Sequence, residues 1–99
     1  MKVEFHPLAA KELSDAALFY EGKARGLGDD FLNEVERLLE VLQSHPELGR
    51  PASGAVRTVP TRRFPYTLIY RASGDRLFLL AIAHQHRRPR YWSTRERAD

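Results

Sequence analysis

The sequence predicts an α+β fold in the element order β-α-α-β-β-β: a small antiparallel meander packed on a two-helix hairpin, with the first strand returning beside the fourth. Three observations carry this. Apolar residues recur every three or four positions between Ala9 and Leu42, the spacing of one helix face. Beyond Gly54 the period falls to two, that of a strand. Between the two regimes lies the only Gly/Pro-rich break, Leu48-Gly49-Arg50-Pro51-Ala52-Ser53-Gly54, which reads as a loop. At 99 residues, 42% of them hydrophobic and 29% charged, the chain suffices for one core and not two, so 1–99 reads as a single domain.

The elements follow in order. Val3 and Phe5 alternate with Lys2, Glu4 and His6 in a short strand, and Pro7 stands where the first turn of a helix tolerates a missing N–H. The first helix runs to about Gly22 on a stripe of Ala9, Leu13, Ala16, Ala17 and Tyr20, with Lys11, Glu12 and Asp15 turned away. The link Gly22 to Gly28 is short enough to make the next helix an antiparallel neighbour, and Asp29 and Asp30 place negative charge at its positive end. Phe31, Val35, Leu38 and Leu42 form one face of that helix, Glu34, Arg37 and Glu40 much of the rest, and His45-Pro46 ends it.

Val56–Val59, Arg63–Arg71 and Arg76–His84 then read as strands, the last two joined by the hairpin Ala72-Ser73-Gly74-Asp75. Phe64, Tyr66, Leu68 and Tyr70 share one face of the middle strand and Thr67, Ile69 and Arg71 the other. Leu77–Ala83 is apolar on both faces, which suits an interior strand. Two helices cover one face of such a sheet, leaving the other for solvent or a ligand.

Charge divides the chain at Gly49. Residues 1–49 hold five basic and ten acidic side chains, residues 50–99 eleven basic and three acidic, and all eleven are arginine. The planar guanidinium fork grips phosphate or carboxylate and tolerates partial desolvation, so the second half suits an anionic partner. The absence of cysteine excludes disulfides and thiolate metal sites and fits a reducing cytoplasm. The opening residues lack the apolar core of a signal peptide and no run is long enough to span a bilayer, so a cytoplasmic protein without membrane contact is expected. No dinucleotide, P-loop, serine-hydrolase or zincin motif is present, and nothing calls for a cofactor.

The remaining candidates gather near the end, in Ala83-His84-Gln85-His86-Arg87-Arg88-Pro89-Arg90-Tyr91-Trp92. His84 and His86, two apart at a strand end, point to the same face and fit proton transfer or metal binding, but no third ligand is identifiable; hydrogen-bonded histidines are the plainer alternative. His6 and His45 flank prolines and read as loop or capping residues. Antiparallel pairing sets the start of the third strand beside the end of the fourth, so Arg62 and Arg63 are expected to meet Arg87, Arg88 and Arg90 at one rim, with Arg57 adjacent through the second strand. Solvated surface charge is the alternative there. Tyr91 and Trp92 fit either stacking on a base or closing the small core as a terminal clasp.

At these residues the chain resembles the RelE/ParE superfamily of type II toxin–antitoxin toxins, and its ParE-type, plasmid-stabilisation branch in particular. The resemblance rests on Val3-Glu4-Phe5-His6-Pro7 with Ala9-Ala10 and Leu13, on Phe31, Val35 and Leu38, on Arg63-Phe64-Pro65-Tyr66 with Leu68-Ile69-Tyr70, and on Ala83-His84 with Arg87-Arg88-Pro89 and Tyr91-Trp92. It implies a growth-arresting protein silenced by a cognate antitoxin, the pair sitting on operator DNA. It implies two targets by branch: DNA gyrase, poisoned by ParE members without nuclease chemistry, or ribosome-bound mRNA, cut by endonuclease members through 2′-OH attack on the neighbouring phosphate. The endonuclease pattern places an arginine where this chain has Thr67. The resemblance therefore favours a ParE-like gyrase inhibitor over an mRNA interferase. Were the chain an enzyme, it would be a metal-independent endoribonuclease with His84, His86, Arg88 and Tyr91 as candidate catalytic residues. A non-toxic module that binds nucleic acid and antitoxin is a third reading.

Target contact is accordingly expected at Arg57, Arg62, Arg63, Arg87, Arg88, Arg90 and Trp92. Antitoxin contact is expected on the acidic, apolar-striped helices, at Leu13, Tyr20, Phe31, Val35 and Leu38, because halves of opposite sign each attract a segment of the other charge.

Overall fold

The computed structural model describes residues 1–97. Strand β1 (Lys2–Phe5) leads into helices α1 (Pro7–Lys23) and α2 (Leu27–Ser44), followed by strands β2 (Arg50–Ser53), β3 (Val56–Pro60), β4 (Tyr66–Ser73) and β5 (Arg76–His84) and a 3-10 turn over Ser93–Arg97. The sheet order is β1-β5-β4-β3-β2. β1 thus lies beside the last strand, as expected, and runs parallel to it; every other pairing is antiparallel.

Two expectations about the strands are corrected. The stretch read as a loop contains β2, an exposed edge strand whose Pro51 is accommodated because an edge leaves half the backbone groups unpaired. The middle strand begins at Tyr66 rather than Arg63, because Thr61 gathers the preceding residues into a turn. Its hydroxyl donates to Phe64 O at 2.6 Å, and its N–H donates to Tyr66 O at 2.9 Å.

The helix boundaries have local causes. His6 caps α1, its Nδ1 accepting the Leu8 N–H at 3.0 Å, with Pro7 at the first helical position. Gly26, at φ 85°, turns the chain between the helices, and the Glu21 carboxylate accepts the N–H groups of Gly26 and Gly28 in that turn. α2 ends at His45, before Pro46.

The helical hairpin covers one face of the sheet. Ala9, Ala16, Phe31, Val35 and Leu42 pack there on Phe64, Leu68, Tyr70, Leu77, Leu79 and Ile82. The α2–β2 link is stitched to that face. Tyr70 Oη donates to Pro46 O at 2.7 Å and accepts from Gly49 N at 2.8 Å, and Arg57 Nη1 donates to Gly49 O at 2.7 Å.

The opposite face is not left to solvent, contrary to expectation. The residues after β5 fold back over it and insert Trp92, 5% exposed, among Val56, Ile69, Phe78, Leu80, Ala81 and Ala83. A bulge at Leu80 assists: pairing passes from Tyr70–Leu79 to Ile69–Ala81, so Leu80 and Ala81 both reach this second core. About 65% burial is all that a chain of this length achieves, so covering both faces of an apolar strand is a large share of its stability.

Candidate functional site: an arginine turn and its clasp

Past His84 the chain reverses in short backbone-bonded turns. Arg87 N–H donates to His84 O at 3.0 Å, Tyr91 N–H to Arg88 O at 3.2 Å and Ser93 N–H to Arg90 O at 2.9 Å. Arg90 has φ 61°, the one non-glycine residue with positive φ among the described residues. A side chain in that region costs about 1–3 kcal/mol and persists only where its surroundings enforce it. Here the enforcement is Trp92, anchored in the second core two positions later.

The second anchor is polar. β1 is paired only as far as Phe5, opposite Leu79, so the edge of β5 beyond it has no strand neighbour on that side. Side chains replace one. The Glu12 carboxylate on α1 accepts the Ile82 N–H at 3.0 Å, and Arg95 Nη1 donates to Leu80 O at 2.9 Å. Arg95 also meets Glu12 side-on through both terminal nitrogens at 2.9 Å, and Tyr91 Oη donates to Glu12 Oε2 at 2.8 Å. One carboxylate thus joins α1, β5 and the tail.

Its electrostatics follow from that crowding. Burial pushes the Glu12 carboxyl up, but hydrogen bonds from Arg95, Tyr91 and the Ile82 N–H outweigh it and hold the carboxyl below its ordinary value. Burial and the Glu12 hydrogen bond together push the Tyr91 phenol far up. The bond to Glu12 raises Arg95, which stays charged in any case.

On this scaffold the turn displays three exposed guanidinium groups. Arg87 stacks on the Tyr91 ring at 3.8 Å from its centroid and stands 4.0 Å from Glu12. Arg90 lies over the Trp92 ring at 5.6 Å. The Arg88 guanidinium makes no hydrogen bond or ion pair among the described residues. Beneath them is a shallow cleft of about 190 Å3 whose lining includes Thr58, Thr67, His84, Arg88 and Trp92.

The expected single rim of arginines is therefore divided. The backbones do converge, Gln85 N–H donating to Pro65 O at 2.8 Å, but the side chains separate. Arg62 and Arg63 turn to α2, where Glu34 Oε2 accepts both their backbone N–H groups and Arg63 stands 3.7 Å from Asp30. Arg57 faces the helices and spends its guanidinium on the α2–β2 link. Trp92 is core, so the clasp is its role and its ring is not open to a target.

The nuclease candidates are adjacent without forming an acid–base array. His84 and His86 rings lie 5.0 Å apart, but His84 Nδ1 accepts the His86 backbone N–H at 3.0 Å. Tyr91 is bound to a carboxylate and poorly acidic, and Thr67 offers no charge to a crowded phosphate.

The helix residues expected to meet an antitoxin belong to the first core. Phe31 and Val35 are at most 2% exposed, while Leu13, Tyr20 and Leu38 are partly buried against them. The periodic stripe is the face that packs on the sheet. The apolar side chains left outside are others, among them Leu8, Leu18, Phe19, Leu32 and Val41.

A family profile described as "ParE toxin of type II toxin-antitoxin system, parDE" matches residues 3–89. The chain belongs to the ParE toxin family. No curated protein matches it. Its fold is similar to a solved structure described as "Chromosomal ParDE TA system from P. aeruginosa", with TM-score 0.60 and 22% identity over 85% of this chain and 95% of that one. The likeness is one of fold. As a ParE-family toxin, the chain carries a turn whose first half, through Pro89, lies inside the family match and whose clasp residues Tyr91, Trp92 and Arg95 lie beyond it. Among the described residues no helix is long and apolar enough to cross a membrane.

Glu12 and Arg95 were missed from sequence. Glu12 was expected to turn away with Lys11 and Asp15; instead it stands three and four positions from the buried Ala9 and Ala16 and reaches Ile82, Tyr91 and Arg95. Arg95, one arginine in a basic tail, carried no local signal.

Proposed function

We propose that this chain arrests growth by a ParE-like block of DNA gyrase, binding its target through Arg87, Arg88 and Arg90, and that a cognate antitoxin silences it. The site is cytoplasmic, and the toxin–antitoxin pair sits on its operator DNA. The observation that carries the target reading is the turn itself. Three guanidinium groups are presented on a backbone fixed by Trp92 and Glu12, one of them without an intramolecular partner. Such a surface is suited to grip carboxylate or phosphate without rearranging, which lowers the entropic cost of binding. Membership of the ParE toxin family supports the toxin and antitoxin parts of the reading. Thr67 at the cleft and the engaged Tyr91 speak for binding rather than RNA cleavage.

Expression from a tightly repressed promoter, followed by inspection of plasmid topology and ribosome-bound transcripts, tests this. Gyrase-trapped DNA breaks with intact messages are expected. Cleaved messages with normal supercoiling would overturn it.

A further inference from the structure

The second group of arginines borders a cleft of its own. Between α2 and the β3–β4 turn is an open space of about 450 Å3 lined by Glu34, Arg37, Leu38, Val41, Pro60 and Thr61 together with Arg62 and Arg63. It shares no lining residue with the cleft under the arginine turn. Its wall is rigid: Thr61 bonds Phe64 O and Tyr66 O, and Glu34 holds the N–H groups of Arg62 and Arg63. Glu34 thereby directs its carboxylate at backbone. Arg63 has Asp30 and the Phe64 ring as neighbours. The guanidinium groups of Arg37 and Arg62 have no hydrogen-bond or ion-pair partner among the described residues. The same cleft has an apolar lining of Leu38, Val41 and Pro60, with Val41 38% exposed.

We infer that this cleft takes an acidic, amphipathic segment of the antitoxin, with carboxylates on Arg37 and Arg62 and an apolar side chain on Leu38 and Val41. The inference rests on the antitoxin proposed above. Charge complementarity argues for the occupant: two unpaired cations and an apolar lining in one cleft suit a segment that carries both acidic and apolar residues, whereas a nucleic acid backbone would leave the apolar part uncovered. The two arginine groups then divide the work. The tail turn engages the target, and the α2 cleft engages the protein that silences it.

The test uses the full-length chain and the protein encoded by the reading frame adjacent to its own, with affinity measured by calorimetry. Arg37→Glu with Arg62→Glu should lower affinity by at least about tenfold, as rim charges reversed against a complementary partner do. Arg37→Lys with Arg62→Lys should lose less, and Val41→Asp should weaken binding independently. Growth arrest in the absence of the neighbour should survive all three, which also shows that they fold. In the wild-type complex, amides of Glu34–Val41 and Thr61–Phe64 should gain protection from hydrogen exchange. Unchanged affinity of the charge-reversed variant, or no protection there, would overturn the assignment while leaving the antitoxin in place. A neighbour that does not bind the wild-type chain at all would remove the antitoxin reading and this occupant with it.

Discussion

Arg95 and Glu12 stand 83 positions apart in the chain and meet side-on, Arg95 Nη1 2.9 Å from Glu12 Oε1 and Nη2 2.9 Å from Oε2. Both side chains are largely buried, at 9% and 16% exposure. Removing one partner strands the other, along with the Tyr91 hydroxyl or the Leu80 carbonyl. Glu12→Ala should therefore destabilise the fold by about 3 kcal/mol, the scale for breaking a buried pair. Urea unfolding measures it, and a double-mutant cycle with Arg95→Ala should show strong non-additivity.

The same carboxylate makes stability depend on pH. Its folded pKa lies below the ordinary value of 4.5, because the bonds from Arg95, Tyr91 and Ile82 outweigh burial. A lowered carboxyl pKa contributes stability that is whole above the unfolded value and is lost as pH falls through the folded one. The urea midpoint should decline below about pH 4.5, and Glu12→Gln should flatten that decline by removing the titration. An equally steep decline in Glu12→Gln would assign the acid sensitivity elsewhere.

Trp92 is expected to act through packing. Trp92→Ala should cost about 3–5 kcal/mol, the range for truncating a buried aromatic. It should also release Arg90 from its left-handed backbone and so reduce toxicity through disorder of the turn. Thermal unfolding followed by circular dichroism reads the first effect, and amide exchange across Arg87–Arg90 the second.

Gly49 tests the stitching of the α2–β2 link. A Cβ there would lie 2.6 Å from Tyr70 Oη and 2.9 Å from Thr58 O. Since Thr58 O is backbone of β3 and Tyr70 is fully buried, neither yields easily. Gly49→Ala should destabilise by about 1–3 kcal/mol, as overpacking does. Gly54→Ala meets no atom but occupies a left-handed turn, so its cost should be backbone strain alone.

Helices and sheet were legible because each buries one periodic face, and Phe31, Val35, Leu68 and Leu79 are found where that periodicity places them. The same logic misdirected the antitoxin expectation: the most regular apolar stripe is the one the fold consumes. The cover on the far face was legible only in part: Trp92 with Tyr91 offered a terminal clasp, but β5, apolar on both sides, was read as an interior strand with that face left to solvent or a ligand. Backbone convergence of the Arg62 and Arg87 regions followed from antiparallel pairing. The direction of their side chains did not, since it depends on Glu34 and Asp30 on one side and on Tyr91 and Glu12 on the other. Those contacts are tertiary and leave no local pattern.

The arginine turn is the proposed toxic surface. Growth after induction of Arg87→Ala with Arg88→Ala, paired with a urea midpoint for the purified variant, addresses this most directly. Both side chains are exposed and neither belongs to a core. Normal growth with a midpoint close to that of the wild type is predicted; growth arrest by the folded variant would contradict the account.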